Sequence, residues 1–254
     1  GHSIVGAERT VNHDYFVVDT ENALFVVADG SHGHPKGNVA SQKAVETIQG
    51  VVLNAIDPDE TRLSRDIMDE EESLRERLRY AMGQACTKIR NYSDMFVDCK
   101  GMETTVTMVV IEDSIAHFSH VGDSRLYLYR DQKLRRLTRD HTVVQKEIDA
   151  GRLTPELAKM APSRDVLTQS IGAQGAIEPV TSTRPVDAGD ILLLCTDGLT
   201  DVLDDTQIAK VMLDNPVEEL PFVLVDSATA ANAVLVIPLS KTIQSCLNPL
   251  GAYL

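Results

Sequence analysis

A strand-like, largely apolar run that stops at a carboxylate occurs three times in this chain, and the repetition constrains the fold more than any other feature. Phe25-Val26-Val27-Ala28 runs into Asp29-Gly30-Ser31-His32-Gly33-His34. Phe118-Ser119-His120-Val121 runs into Gly122-Asp123-Ser124-Arg125. Ile191-Leu192-Leu193-Leu194-Cys195 runs into Thr196-Asp197-Gly198, with Asp201 close behind. Each run has the length of a buried strand. A buried strand that ends on Asp beside Gly sets a carboxylate next to a free backbone carbonyl, the oxygen donors that hard divalent cations take. Any one junction alone reads as well as an ordinary Asp-Gly turn. The three together are read as bringing three carboxylates to one sheet edge.

The rest of the chain supplies the frame. Tyr15–Val18 is a strand preceded by Asn12-His13-Asp14, and Glu21-Asn22 turns it into the run ending at Asp29. A helix starts at Pro35–Gly37 and continues to about Leu53, with Val39, Ala40, Ala44, Val45 and Ile48 on one face. After a polar break at Asp57–Glu60, a long helix is expected over about 61–91. Its stripe of Ile67, Met68, Leu74, Leu78, Met82 and Cys86 has the spacing of a core face. Strands follow at 104–111, 115–121 and 125–130, with a short one near 134–137. The stretch 137–172 turns polar and helical: two short helices joined at Gly151–Thr154, read as a mobile segment over the sheet. Strands at 180–185 and 190–195, helices at 203–213 and 217–228, and a last strand at 233–237 complete the series. Residues 239–254 show no period and are expected to be a loose tail. Strand groups alternate with helix pairs and no βαβ rhythm appears, which favours an α/β chain of antiparallel sheets with helices packed outside. The expectation is one domain over 1–254. Gly1-His2-Ser3 is read as the remnant of an expression tag.

Charge and motif content exclude several chemistries. A net charge of −14 argues against a nucleic-acid or anionic-membrane partner, and no apolar run reaches the roughly 20 residues of a span. The four cysteines, Cys86, Cys99, Cys195 and Cys246, show no paired spacing; free thiols in a reducing cytoplasm are expected. None has an Arg six residues on to cradle a phosphate. No G-x-S-x-G elbow and no G-x-x-x-x-G-K-[ST] loop is present. Ser31 beside His32 lacks the geometry for nucleophile and base. What remains is a carboxylate-lined metal site, in which two divalent ions about 4 Å apart activate water and clamp a phosphoryl group.

Several ordered motifs resemble one family across nearly the whole chain: the metal-dependent Ser/Thr protein phosphatases of the PPM family (type 2C), in their short bacterial form. The family's Arg-x-x-Asn-Glu-Asp stands as Arg9 to Asp14, its Asp-Gly-Met-Gly-Gly-His signature as DGSHGHPKGNVAS from Asp29 to Ser41, and its Gly-Met-Gly-Thr-Thr as Gly101 to Thr105. His120 to Arg125 carries His-Val-Gly-Asp-Ser-Arg complete, Leu137-Thr138 and Asp140-His141 match the next block, and Cys195 to Asp201 carries Cys-Thr-Asp-Gly-Leu-Thr-Asp. The resemblance implies a four-layer sandwich, two antiparallel β-sheets flanked by α-helices, with a flap over about 140–172 and the metals at one end. It implies that Asp29 bridges two metals, that the Gly30 carbonyl binds the second and Asp197 the first, and that Asp123 and Asp201 hold a third. It gives Arg9 the substrate phosphate, which a guanidinium fork suits. The cofactors implied are two Mn²⁺ or Mg²⁺ ions, or three with the site at Asp123 and Asp201. The partners implied are phosphorylated proteins and a cognate Ser/Thr kinase in cytoplasmic signalling.

Departures from the pattern leave a second function open. The opening Glu is His13, which is either a ligand better suited to Mn²⁺ than to Mg²⁺ or a structural histidine. The last ligand block, usually Asp-Asn, stands as Ala231-Asn232, so Ala231 removes a carboxylate and weakens the first metal. Glu103 replaces a glycine and is expected at the surface rather than in the site; His32 and His34 are expected as proton donors or rim residues. The first reading is a phosphatase that hydrolyses phosphoserine and phosphothreonine on proteins through a metal-bridging water. The alternative is a pseudophosphatase, a phosphoprotein-binding or regulatory module without turnover.

Overall fold

The computed structural model describes residues 1–4, 11–31, 33–53, 70–228 and 232–239. Arg9, His32, Ala231, Cys246, the break at 57–60, the first part of the helix expected at 61–91 and the tail from 240 onward lie outside the described residues. In chain order the strands are β1 (His2–Ile4), β2 (Asp14–Asp19), β3 (Leu24–Asp29), β4 (Val106–Glu112), β5 (Ile115–Val121), β6 (Arg125–Arg130), β7 (Lys133–Arg136), β8 (Val180–Pro185), β9 (Ile191–Cys195) and β10 (Asn232–Pro238). The helices are α1 (Gly37–Leu53), α2 (Glu70–Met95), α3 (Val143–Asp149), α4 (Pro155–Ala158), α5 (Asp197–Thr200), α6 (Asp205–Asp214) and α7 (Leu220–Ser227).

Two five-stranded sheets, ordered β2-β3-β4-β5-β8 and β1-β10-β9-β6-β7, carry only antiparallel ladders among these strands. They face each other through Phe25, Val27, Val109, Ile111 and Phe118 on one side and Leu126, Leu128, Leu192, Leu194 and Leu235 on the other. The alternate residues of β3, Leu24, Val26 and Ala28, turn outward and pack with Ala40, Ala44 and Ile48 of α1 and Leu78, Met82 and Ile89 of α2. On the opposite face Tyr127, Leu193 and Cys195 pack with Leu199, Ile208, Leu220 and Leu224 of α5 to α7. Both sheet faces are therefore covered. This explains why β3 is an unbroken apolar run, buried at every residue, where a sheet with one wet face would alternate. The four-layer expectation holds, and no described helix is long and apolar enough to cross a membrane. Cys86, Cys99 and Cys195 are buried free thiols.

Several local expectations are corrected. No strand was expected at the N-terminus, yet His2–Ile4 forms the edge strand β1, with His2 opposite Val234 and Ile4 opposite Asn232. The strand expected from Thr104 begins at Val106, because Thr104 instead bridges to Gly30 and Ile171. Thr196-Asp197-Gly198 is not a hairpin turn; Asp197 opens α5, and the Asp201 N–H donates to the Asp197 carbonyl at 2.8 Å. α6 starts at Asp205 because Asp204 and Gln207 close a reciprocal capping box. The two flap helices are where they were expected, capped by Thr142 and Thr154. Both ends of the flap are fixed. Thr142 bridges Leu167, the Thr168 N–H donates to His141 O at 2.7 Å, and Arg90 donates to the Ala173 carbonyl at 2.8 Å.

Candidate active site

The strand ends meet at one end of the sandwich, and the backbone there explains why. Gly30 and Gly37 pack face to face: a Cβ on Gly30 would lie 2.0 Å from the Gly37 carbonyl oxygen. This contact folds the signature loop back onto the start of α1. Asp29 is the last residue of β3 and pairs with Asp14, the first residue of β2. Its N–H donates to Thr105 Oγ1 at 3.2 Å, and its carbonyl accepts from the Thr105 N–H at 2.8 Å and from Thr104 Oγ1 at 2.7 Å. Thr105 Oγ1 lies 2.7 Å from Ser124 Oγ, so the same threonine also holds the Gly122-Asp123-Ser124 junction. That turn needs glycine at 122: φ is +109°, and a Cβ would meet Thr105 Cβ at 2.5 Å. The other sheet is joined to this end by Thr196 Oγ1, which donates to Asp14 Oδ2 at 3.2 Å.

A cavity of about 380 Å³ opens between these junctions, lined among others by Asp29, Asp123, Asp197 and Asp201. Glu103, Asp165 and Ser170 also line it. Burial pushes the Asp29 carboxyl well above the usual range, and the charges of Asp14, Asp197 and Asp123 and a hydrogen bond with Asp197 add to the shift. Asp123 is raised by burial and by Asp197 and Asp140, with Arg125 opposing. Asp201 is pushed up to about 6 by burial and by Asp197 and Asp165. Carboxylates forced this close must share a proton or a cation. Among the described residues no three His, Cys, Asp or Glu side chains close on one point as a finished cage. The donor set is instead open and oxygen-only. It fits Mg²⁺ or Mn²⁺, hard ions that keep several waters and need only one or two carboxylates each.

Of the expected site residues, Asp29, Asp123, Asp197 and Asp201 share the cavity, and Gly30 sits between its lining residues Asp29 and Ser31. His13 is placed at the α1 end of the loop. Its carbonyl accepts from Gly30 N–H and Ser41 Oγ, and its Nδ1 would lie 2.8 Å from a Cβ on Gly37. His34 is held as a structural residue: its Nε2 is 3.0 Å from the Lys100 carbonyl and its Nδ1 accepts from the Lys36 N–H. The surface expectation for Glu103 is overturned. Its carboxylate is in the cavity wall and accepts from Ser170 Oγ at 2.5 Å, while its carbonyl accepts from the Ser31 N–H.

Sequence reasoning missed three supports. Asp14 acts on Asp29 through the β2–β3 register, visible only once the strands are paired. The Thr104-Thr105-Ser124 relay lies within two of the motifs, but its hydrogen bonds join residues far apart in the chain. Below Asp123, Arg125 grips Asp140 with Nε and Nη2, the latter at 2.8 Å, and Arg136 bonds the same carboxylate. Tyr127 connects this group to Asp205 at 2.9 Å.

Known proteins similar to this chain in sequence and shape agree with one another. The family model for protein phosphatase 2C matches residues 6–220. The protein phosphatase PhpP of Streptococcus pneumoniae is 32% identical over 234 residues, covering 91% of this chain and 90% of the relative. The crystal structure of the Mycobacterium tuberculosis serine/threonine phosphatase PstP/Ppp superposes with a TM-score of 0.78 at 32% identity, over 94% of this chain and 97% of its own. The PstP catalytic domain in complex with two manganese ions superposes at 0.73 with 28% identity, over 92% of this chain and 94% of its own. The chain therefore belongs to the protein phosphatase 2C family, whose members are metal-dependent.

Proposed function

We propose that this protein hydrolyses phosphoserine and phosphothreonine esters on proteins, with two Mn²⁺ or Mg²⁺ ions held by Asp29 and Asp197 and a further ion at Asp123 and Asp201. The observation that carries this reading is the convergence of four aspartates on one cavity, Asp29 from the end of β3, Asp123 from the turn after β5, and Asp197 and Asp201 from the short helix after β9, at the positions where the family motifs stand. When bound, divalent ions lower the pKa of water and neutralise phosphoryl charge. The chain's own residues do the positioning. Thr105 and Thr104 fix the Asp29 backbone, Ser124 fixes the Asp123 turn, and Arg125 with Asp140 supports that turn from below. The Gly30 carbonyl completes the ligand set, and Arg9 pairs with the phosphate. A cytoplasmic setting and a Ser/Thr kinase as counterpart belong to the same reading. PhpP and PstP are both named as phosphatases, which favours turnover over a binding-only role.

Calorimetric titration with Mn²⁺ tests the metal assignment. At least two ions bind per chain, and Asp29→Asn lowers the number or weakens binding by about tenfold or more. One ion or none in folded wild-type protein contradicts it.

A further inference from the structure

Glu103 is the acid that the metal assignment leaves over. It lines the same cavity as the four aspartates, yet the charges that dominate at Asp29 and Asp123 come from other residues. The cavity's remaining acid, Asp165, is paired with Arg164 at 3.1 Å, and the same guanidinium stands 4.0 Å from Asp201. Among the described residues Glu103 has no ion-pair partner; a neutral hydroxyl, Ser170 Oγ, holds one carboxylate oxygen at 2.5 Å. Ser170 is buried and sits at the base of the flap, next to Ile171, which pairs with Thr104 through two backbone hydrogen bonds. The carboxylate is thus half-buried and oriented by a fixed neighbour. Among the described residues no Lys or Arg lines this cavity. A partly desolvated anion in that position gains from a cation that arrives with the ligand.

We propose that Glu103 is a specificity-determining residue that receives a Lys or Arg side chain beside the phosphorylated residue, so that the substrate class is phosphopeptides with a basic neighbour. This rests on the phosphatase reading. Ser170 fixes the Glu103 head group and Thr104 ties that segment to Asp29, so the cation site and the metal site are held in one register.

The test compares kcat/KM for phosphothreonine peptides that differ only in flanking Lys, Ala or Glu, at saturating Mn²⁺. Wild type prefers the Lys peptide to the Ala peptide by about tenfold, the effect of a close charge pair shielded from water. Glu103→Gln, which keeps an acceptor for Ser170, brings that ratio to near one with unchanged Mn²⁺ affinity. Asp113→Asn removes one charge from the exposed β4–β5 turn and keeps the preference, which separates a local contact from the attraction of a net charge of −14. Equal rates on Lys and Ala peptides in wild type overturn the assignment, as does a preference that survives in Glu103→Gln or falls equally in Asp113→Asn. Weakened Mn²⁺ binding in Glu103→Gln with a uniform loss on all peptides makes Glu103 a metal ligand instead. Absence of turnover on every peptide removes the phosphatase reading and the assignment with it; turnover without a Lys preference removes the assignment alone.

Discussion

Thr105 Oγ1 accepts the Asp29 N–H and contacts Ser124 Oγ, so one hydroxyl holds two of the three carboxylate junctions. Thr105→Val keeps the shape and removes the hydroxyl. It leaves a buried N–H and a buried hydroxyl unsatisfied, and a loss of about 1–3 kcal/mol is expected for such a deletion. Denaturant unfolding reads that loss; an unchanged midpoint contradicts the relay. Gly122→Ala acts on the same contact from the other side. Its φ of +109° and a Cβ at 2.5 Å from Thr105 Cβ predict a cost of about 2–4 kcal/mol, strain and overlap together. Asp29, Asp123, Asp197 and Asp201 were legible because each ends or follows a strand-like run. Asp14 and Thr105 were not, because their roles depend on which residue lies across the ladder. Glu103 was misjudged because nothing local to Gly101–Thr105 shows that Ser170, far along the chain, comes to meet it.

At the scale of elements, β5 and the base of the flap meet through two histidines. The His120 and His141 rings stack with centroids 4.5 Å apart, and His141 Nδ1 accepts the Gly122 N–H at 3.2 Å. Burial, then the neighbouring His141, pushes His120 down from 6.5 to about 3; burial also lowers His141. Both groups bind protons more readily when unfolded. Their contribution is therefore complete above about pH 6.5 and is lost as pH falls toward 3. Unfolding free energies measured from pH 7 to pH 4 fall more steeply in wild type than in His120→Phe. Parallel curves contradict a neutral, buried His120. The element boundaries that the sequence misplaced have similar causes. α5 was hidden because Asp197-Gly198 carries a turn signal, while packing of Leu199 against the sheet makes it helical. α6 was set one cap late by Asp204 and Gln207. The flap helices were legible from their polar, helical pattern and the break at Gly151–Thr154; the caps at Thr142 and Thr154 came with the structure.

For the whole molecule, antiparallel sheets with helices outside were legible from strand groups without a βαβ rhythm, and the four-layer sandwich from the family resemblance. The edge strand β1 was not, since three residues carry no periodicity and the strand exists only against β10. Two covered sheets leave their open end as the place where buried chain meets solvent, and the aspartates gather there. Their mutual repulsion costs folding stability unless a cation is bound, so one arrangement accounts for the raised carboxyls and supports the proposed metal site and place of reaction. The central claim is that this cavity turns over phosphoester through Asp29. The direct measurement is phosphate release from a phosphothreonine peptide, with and without Mn²⁺, by wild type and by Asp29→Asn, with folding of both checked by circular dichroism. The account predicts Mn²⁺-dependent release that falls by at least about a hundredfold in Asp29→Asn, the scale on which losing one stabilising group at a reacting centre is felt. Release that is independent of Mn²⁺, or equal in the folded variant, would contradict it.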